Sequence, residues 1–348
     1  MAMTIVEATH SIVGGIDTHS KVHVAAALDE VGGLLGAESF GANPTGYAAL
    51  VSWFESFGSV SKVGVEGTGS YGAGICRFLA RSGIEIIEVD RQNRQARRNA
   101  GKSDPLDAVE AARAALSGRA SGRAKGRDGW VEALRVLLVA KRSARGARVK
   151  AITQMRQVTY SAPDELRDRL EGLSISAFVS TAQGLRPSRA RDQVIGATKT
   201  ALSSLAHRVA DLEEEIEGLD AMITPLVRSN ALELLAITGV GIDTAASLSV
   251  AAGDNPERLR SEAAWAHLCG VSPLEASSGK VTRHRLNRGG DRRANNALWH
   301  IVMTRLASDP DTQAYMERRL KEGRSKREVI RVLKRYVARE VYRALPRH

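Results

Sequence analysis

Four carboxylates stand where metal-assisted chemistry could use them. Asp17 closes the apolar run Gly14-Gly15-Ile16-Asp17, and Glu66 closes Val63-Gly64-Val65-Glu66. Asp104 and Asp107 fall three residues apart in Lys102-Ser103-Asp104-Pro105-Leu106-Asp107, a spacing that puts both on one helix face. Clustered carboxylates repel unless a cation joins them, and oxygen-only donors suit Mg²⁺ or Mn²⁺. Two such ions about 3.5–4 Å apart can activate an attacking oxygen and stabilise the leaving oxygen of a phosphodiester. Each acid also has a plain structural reading. Strand ends often carry a lone acid, and Asp104, Pro105 and Asp107 make a good helix start by themselves.

The stretch Val63-Gly64-Val65-Glu66-Gly67-Thr68-Gly69-Ser70-Tyr71-Gly72 offers a rival reading. It contains GxGxxG between a strand and a helix, and Asp90 follows roughly where a dinucleotide fold places its ribose-binding acid. A nicotinamide-dependent oxidoreductase is therefore a distant alternative. Against it, Glu66 would set a carboxylate beside the pyrophosphate. At least two strand-like segments also precede this unit, whereas the fingerprint usually sits on the first strand.

Charge points to a polyanionic partner. The 348-residue chain has a net charge of +11, and the balance is uneven. Residues 1–66 hold 2 Lys/Arg against 7 Asp/Glu, a net of −5; residues 113–150 hold 11 against 2, a net of +9; residues 280–348 hold 19 against 7, a net of +12. An acidic head joined to two basic regions suits carboxylate chemistry on a phosphate-bearing substrate, and nucleic acid is the leading class. No run of 18 apolar residues exists, so no transmembrane span or membrane partner is expected, and MAMTIVEATHS lacks the plan of a secretion signal. Cys76 and Cys269 stand far apart, outside any metal-like spacing. Neither a disulfide framework nor a zinc finger is therefore expected, and a cytoplasmic setting is.

The elements that must position the acids follow from hydrophobic spacing. Ile12–Asp17, Val22–Leu28 and Leu34–Phe40 read as three successive strands. The helix Thr45–Phe57, the strand Val63–Glu66, the helix Tyr71–Arg81, the strand Ile84–Val89 and the Ala-rich helix Asp104–Leu116 follow. A mixed sheet flanked by helices results, and this element order is that of the ribonuclease-H-like α/β fold. Ser117–Gly129 reads as a basic linker or a loop ordered by nucleic acid. Trp130–Tyr160 is helical. Beyond Pro187, Leu202, Leu205, Val209, Leu212, Ile216, Leu219, Ile223 and Leu226 alternate spacings of three and four, a heptad seam. Such a seam predicts a coiled coil, here favoured as a homo-oligomer contact over packing within the chain. The remainder is mostly α, and Ala236–Gly241 leading into Thr244–Val250 has the form of a helix-hairpin-helix. Three domains are expected: a catalytic domain over 1–128, a basic helical and coiled-coil region over 129–228, and a C-terminal domain over 229–348.

Taken together, Gly15-Ile16-Asp17-Thr18-His19-Ser20-Lys21, Val65-Glu66-Gly67-Thr68-Gly69 and Lys102–Asp107 resemble the DEDD transposases of the insertion-sequence one-hundred-and-ten family. Ile237-Thr238-Gly239-Val240-Gly241, Gly270-Val271-Ser272-Pro273 and Ser277-Ser278-Gly279-Lys280 resemble that family's second domain. The resemblance covers nearly the whole chain, with the motifs in order. It implies a RuvC-like head in which Asp17, Glu66, Asp104 and Asp107 are catalytic metal ligands for Mg²⁺ or Mn²⁺, as two ions, and a C-terminal serine that attacks DNA. Ser278 aligns best with that serine, with Ser277 adjacent to it. The resemblance further implies donor and target DNA as substrates and a guide non-coding RNA encoded by the element.

Nucleic-acid contacts are expected from Arg142, Arg145, Arg148 and Lys150, from the hairpin glycines Gly239 and Gly241, and from Lys280, Arg283, Arg285 and Arg288. A dimer or tetramer would assemble through the seam. The nearest alternative on the same fold is a RuvC-like metal-dependent junction nuclease that uses water. A non-catalytic RNA-binding scaffold would need neither the acids nor Ser278.

Overall fold

The computed structural model describes residues 10–89, 104–120, 122–124, 126, 129–186, 193–253, 259–278 and 281–346. The chain divides into two units: Met1–Val131 with Ala252–Gly289 and Arg347–His348, and Glu132–Ala251 with Gly290–Pro346.

In the first unit β1 (Ser11–Thr18), β2 (Val22–Leu28) and β3 (Leu34–Gly41) form an antiparallel meander. Helix α1 (Pro44–Glu55) follows. Its start is written in the sequence: Asn43 Oδ1 accepts from the Gly46 amide at 2.9 Å, and Pro44 occupies the first turn. Strand β4 (Ser59–Glu66) then pairs parallel with β1, and after α2 (Ala73–Arg81) β5 (Glu85–Val89) pairs parallel with β4. The sheet order is β3-β2-β1-β4-β5-β6, where β6 (Gly122–Arg123) pairs antiparallel with β5. Gly122 and Arg123 fall inside the stretch expected to be a linker, so part of it serves as a sheet edge instead. This mixed sheet with helices, followed by a mostly helical region, is compatible with the ribonuclease-H-like expectation. The reversed β2 and β3 depart from the all-parallel sheet of a dinucleotide fold.

Helices cover both faces of the sheet. Ile12, Ile16, Ala25, Ala27, Val63 and Val65 pack with Leu50 and Phe54 of α1 and Ile75 and Leu79 of α2. On the other face Val24, Ala26 and Leu28 pack with Ala108, Val109 and Ala112 of α3 (Asp104–Leu116). Enclosure on two sides explains why β1 and β2 read as nearly unbroken apolar runs. The same unit carries α10 (Glu262–Leu268) and the two-stranded β7 (Leu274–Glu275) and β8 (His284–Arg285).

The second unit is helical. It holds α4 (Trp130–Tyr160), α5 (Asp164–Leu170), α6 (Ile175–Gln183), α7 (Gln193–Asn230), α8 (Leu232–Leu235), α9 (Ile242–Ala252), α11 (Arg292–Ser308), α12 (Pro310–Lys321) and α13 (Lys326–Ala344). Ala151, Ile152 and Met155 of α4 share a core with Leu202, Ala206 and Val209 of α7, closed by Leu166, Phe178 and Val179. The ends of the heptad seam are thus buried by the chain's own helices. Leu212, Ile216 and Leu219 in its middle stay half-buried. Among the described residues no helix is long and apolar enough to cross a membrane.

Candidate active site

Asp17 and Glu66 are direct neighbours in the parallel register of β1 and β4, at the last paired position. Side chains alternate along a strand, so Asp17 shares a face with Gly15, and Glu66 with Gly64. That face is the one α3 covers. A Cβ on Gly15 would overlap the Ala108 carbonyl oxygen, and one on Gly64 would overlap that of Ala111. Farther back along β1, Val13 packs on Ala115. Helix α3 therefore runs antiparallel to β1 and begins at the end of the sheet where the two carboxylates lie. Asp104 and Asp107 stand one turn ahead of Ala108 and Ala111 respectively. Two glycines let this helix approach closely, and they set the distance from the sheet at which it starts.

Both strand-end acids are nearly enclosed, with Asp17 8% and Glu66 5% exposed. His19 Nε2 stands 3.1 Å from Asp17 Oδ2. The Thr18 hydroxyl donates to the Glu66 carbonyl at 2.8 Å, tying the two strand ends together. The following loop turns at Gly67, whose φ of +78° favours glycine and whose absent Cβ would meet Thr18 Oγ1. That glycine serves a tight exit past β1. The proposed ribose acid of the dinucleotide reading, Asp90, lies outside the described residues.

Oxygen donors of Asp17, Glu66 and Asp107 thus belong to one end of the sheet, a hard donor set that fits Mg²⁺ or Mn²⁺. Among the described residues no three His, Cys, Asp or Glu side chains come together so that they could hold a metal ion; the Asp104 side chain is not among those described.

Ser278 sits in the loop joining β7 to β8 and exchanges backbone hydrogen bonds with Val281, each 3.1 Å. It is exposed. Ser277 differs: its hydroxyl accepts from the Arg283 amide at 3.2 Å and helps close the loop. This segment falls in the same unit as the carboxylate strands. Arg283, Arg285 and Arg288 are exposed, whereas Lys280 lies outside the described residues.

The other basic residues face a different environment. Arg142 and Arg145 of α4 line a cavity of about 940 Å³ in the helical unit, together with Gly239 and Gly241 at the start of α9, Arg292, Arg293 and His300. Arg142 donates to Ser247 at 3.3 Å, while its Nη1 is buried without a partner. Burial, then the Arg293 charge, holds the Arg142 guanidinium below its ordinary pKa. Arg145 pairs with Asp243 at 2.9 Å, and Arg148 with Glu213. Lys150 is exposed. Lys141, a residue the sequence did not single out, is 3% exposed and bonds Asp220 and Asp243 at once. Its partners lie 79 and 102 residues away, so no local pattern could reveal it. His19 could have been found, since it follows Asp17 by two residues at a strand end.

Comparison with known proteins gives the family. Residues 14–160 match the transposase family model named for the DEDD transposases of IS110, and residues 231–317 match the Transposase IS116/IS110/IS902 family. The chain belongs to the IS110 transposase family. It is 26% identical over 192 residues to the insertion element IS900 uncharacterized 42 kDa protein of Mycobacterium paratuberculosis, covering 51% of this chain and 48% of that protein. It is 29% identical over 133 residues to the insertion element IS110 uncharacterized 43.6 kDa protein of Streptomyces coelicolor, covering 37% of this chain and 33% of the relative. The chain spans about half or less of the length of these relatives. Within the IS110 family match, the first stretch takes in Asp17, Glu66, Asp104 and Asp107, and the second takes in Ser278.

Proposed function

We propose that this IS110-family chain is a DNA transposase that cuts and rejoins phosphodiester strands, with Asp17, Glu66, Asp104 and Asp107 as metal ligands and Ser278 as nucleophile. The observation that supports it best is the side-by-side register of Asp17 and Glu66 on the face where the helix bearing Asp104 and Asp107 begins. When bound, one or two Mg²⁺ or Mn²⁺ ions would supply charge stabilisation at the attacking and leaving oxygens. The chain's own groups prepare that site. His19 orients the Asp17 carboxylate and Thr18 fixes the Glu66 strand end.

In this reading the Ser278 Oγ–P bond forms as the bond from phosphorus to a deoxyribose oxygen breaks. The serine proton leaves to a base, and the released sugar oxygen takes one up. The covalent phosphoserine link retains the phosphodiester for rejoining. Ser277 and Ser278 are both exposed, and the Ser277 hydroxyl already accepts from the Arg283 amide, which favours Ser278 over its neighbour. Arg283, Arg285 and Arg288, with Lys280, would hold the DNA backbone nearby. The cavity beside Gly239 and Gly241, lined by Arg142 and Arg145, suits a phosphate of donor DNA, target DNA or an element-encoded guide RNA. Assembly as a dimer or tetramer would use the half-buried middle of α7, Leu212 to Leu219.

The test is strand cleavage by purified full-length variants with Mg²⁺. Asp17→Asn and Glu66→Gln should each abolish cleavage in a folded protein. Ser278→Ala should lose both cleavage and the denaturation-resistant link to DNA, while Ser277→Ala keeps substantial activity. Ordinary nicking by Ser278→Ala would assign the attack to water and the protein to hydrolytic nucleases.

A further inference from the structure

Four helices of the second unit, α4, α7, α9 and α11, line the cavity of about 940 Å³. Helix α4 brings Lys141, Arg142 and Arg145, and α11 brings Arg292 and Arg293; against them stand Asp220 of α7 and Asp243 of α9. The acids are already answered. Lys141 bonds both, and Arg145 pairs with Asp243 at 2.9 Å. Asp291, whose charge also reaches Arg142, is spent on the start of α11, where it accepts from the Arg293 and Ala294 amides at 2.7 and 3.0 Å. Arg142, Arg292 and Arg293 remain, and among the described residues none of their guanidinium groups donates to a carboxylate.

Arg142 carries the stronger signal. Its Nη2 donates to Ser247 at 3.3 Å, while Nη1 is buried with no hydrogen-bond partner. A buried charged donor left unsatisfied costs more than a neutral one, so the site calls for an anionic acceptor. Helix α9 adds neutral donors. Gly241, Ile242 and Thr244 line the cavity at its start, where the first N–H groups of a helix lack partners within it. A Cβ on Gly241 would meet nothing within 4 Å, so the helix start is unobstructed there.

Size and lining select the ligand. A cube of 940 Å³ is about 10 Å on an edge, narrower than the roughly 12 Å major groove of duplex DNA, so a duplex stays outside. No Phe, Tyr or Trp is among the described residues that line the cavity, which puts recognition on phosphate rather than on stacked bases. We propose that the cavity takes the phosphate backbone of an unpaired nucleic-acid strand, with Arg142 and Arg293 donating to phosphate oxygens beside the open start of α9. Arginine suits that role because its planar fork matches phosphate geometry. DNA and RNA strands offer the same group, so neither base nor sugar is read. The inference rests on the reading of the chain as a transposase that handles nucleic acid, and deepens it by naming the form of the strand.

The test follows full-length protein binding a mixed-sequence single strand, as DNA and as RNA, and a blunt DNA duplex, across a salt series. Each phosphate contact on a single strand contributes about 0.7 to the slope of log affinity against log salt, so Arg142→Gln with Arg293→Gln should lower that slope by about 1.4. Gly241→Asp sets a carboxylate at the α9 start without a clash, and should weaken single-strand binding by about tenfold. Arg293 is exposed, so Arg293→Gln and Gly241→Asp keep the test open where Arg142→Gln fails to fold. In every variant the ratio of single-strand to duplex affinity should fall. An unchanged slope and ratio in folded variants would overturn the cavity as a site and leave the functional reading intact. Equal losses on strand and duplex would overturn the choice of an unpaired strand, and a loss on DNA or RNA alone would overturn recognition by phosphate only. Parent protein that binds no nucleic acid at any salt would overturn the functional reading itself.

Discussion

Arg148 Nε donates to Glu213 Oε1 at 2.7 Å and joins α4 to α7. Lys141 meets Asp220 seven residues earlier on α4 and seven later on α7, and Met155 shares a core with Ala206 seven residues farther the other way. The two helices are an antiparallel pair in heptad register.

The Arg148–Glu213 bond is half in water, with side chains 30% and 43% exposed. A double-mutant cycle of Arg148→Ala and Glu213→Ala should give a coupling of about 0.5–1 kcal/mol that shrinks with salt. A coupling near zero at low salt would show the bond to be incidental to the pairing.

Lys141 is a harder residue to lose. Lys141→Met leaves Asp220 and Asp243 facing each other without their shared cation. It should cost about 1–3 kcal/mol in urea denaturation, less than a fully buried pair because both acids are part exposed. Burial pushes the Asp243 carboxyl up, but Lys141 and Arg145 outweigh it and hold the pKa below the ordinary 3.8. The stabilisation this brings is present above pH 3.8 and fades as pH falls through the lower folded value. Lys141→Met should flatten that acid limb; an unchanged limb would mean that Lys141 does not tune Asp243.

His23 gives a second pH effect with the same sense at a higher pH. It is buried, stacks on Tyr47 at 5.7 Å, and accepts from the His19 amide at Nδ1, while its Nε2 has no partner. Burial, then the His19 charge, lowers its pKa from 6.5. The unfolded chain therefore binds a proton first, and stability falls as pH drops from about 6.5 to the folded value. His23→Phe should remove this loss, seen as urea midpoints that no longer decline over that interval.

Gly15→Ala and Gly64→Ala each force a methyl group into the α3 backbone. Overpacking of this kind costs about 1–3 kcal/mol. We expect a folded sheet, a displaced α3 start and cleavage reduced at least tenfold, although neither glycine carries a reactive atom. Wild-type turnover in both variants would show that the position of α3 is not critical.

Much of the first unit was legible because its strands and α3 are local apolar runs with clear turns and caps. The pairing of Asp17 with Glu66 was legible only as two strand ends, since register is a property of both strands. Gly122–Arg123 and the β7–β8 pair were hidden because two-residue strands have no period to read. The α7 seam shows the same limit. Its period demanded a cover, yet only the long-range positions of Ile152 and Met155 reveal that α4 supplies part of it, where a second chain was expected.

The face between β1, β4 and α3 is defined by what Gly15 and Gly64 lack. Random mutation at these codons would thus read as loss of enzymatic function with no change of charge, nucleophile or ligand. A selection for transposition from libraries randomised there should return almost nothing but glycine, while neighbouring apolar positions drift among valine, isoleucine and alanine. On the proposed reading, heritable information about strand cleavage would then reside in two residues that carry no reactive side-chain atom.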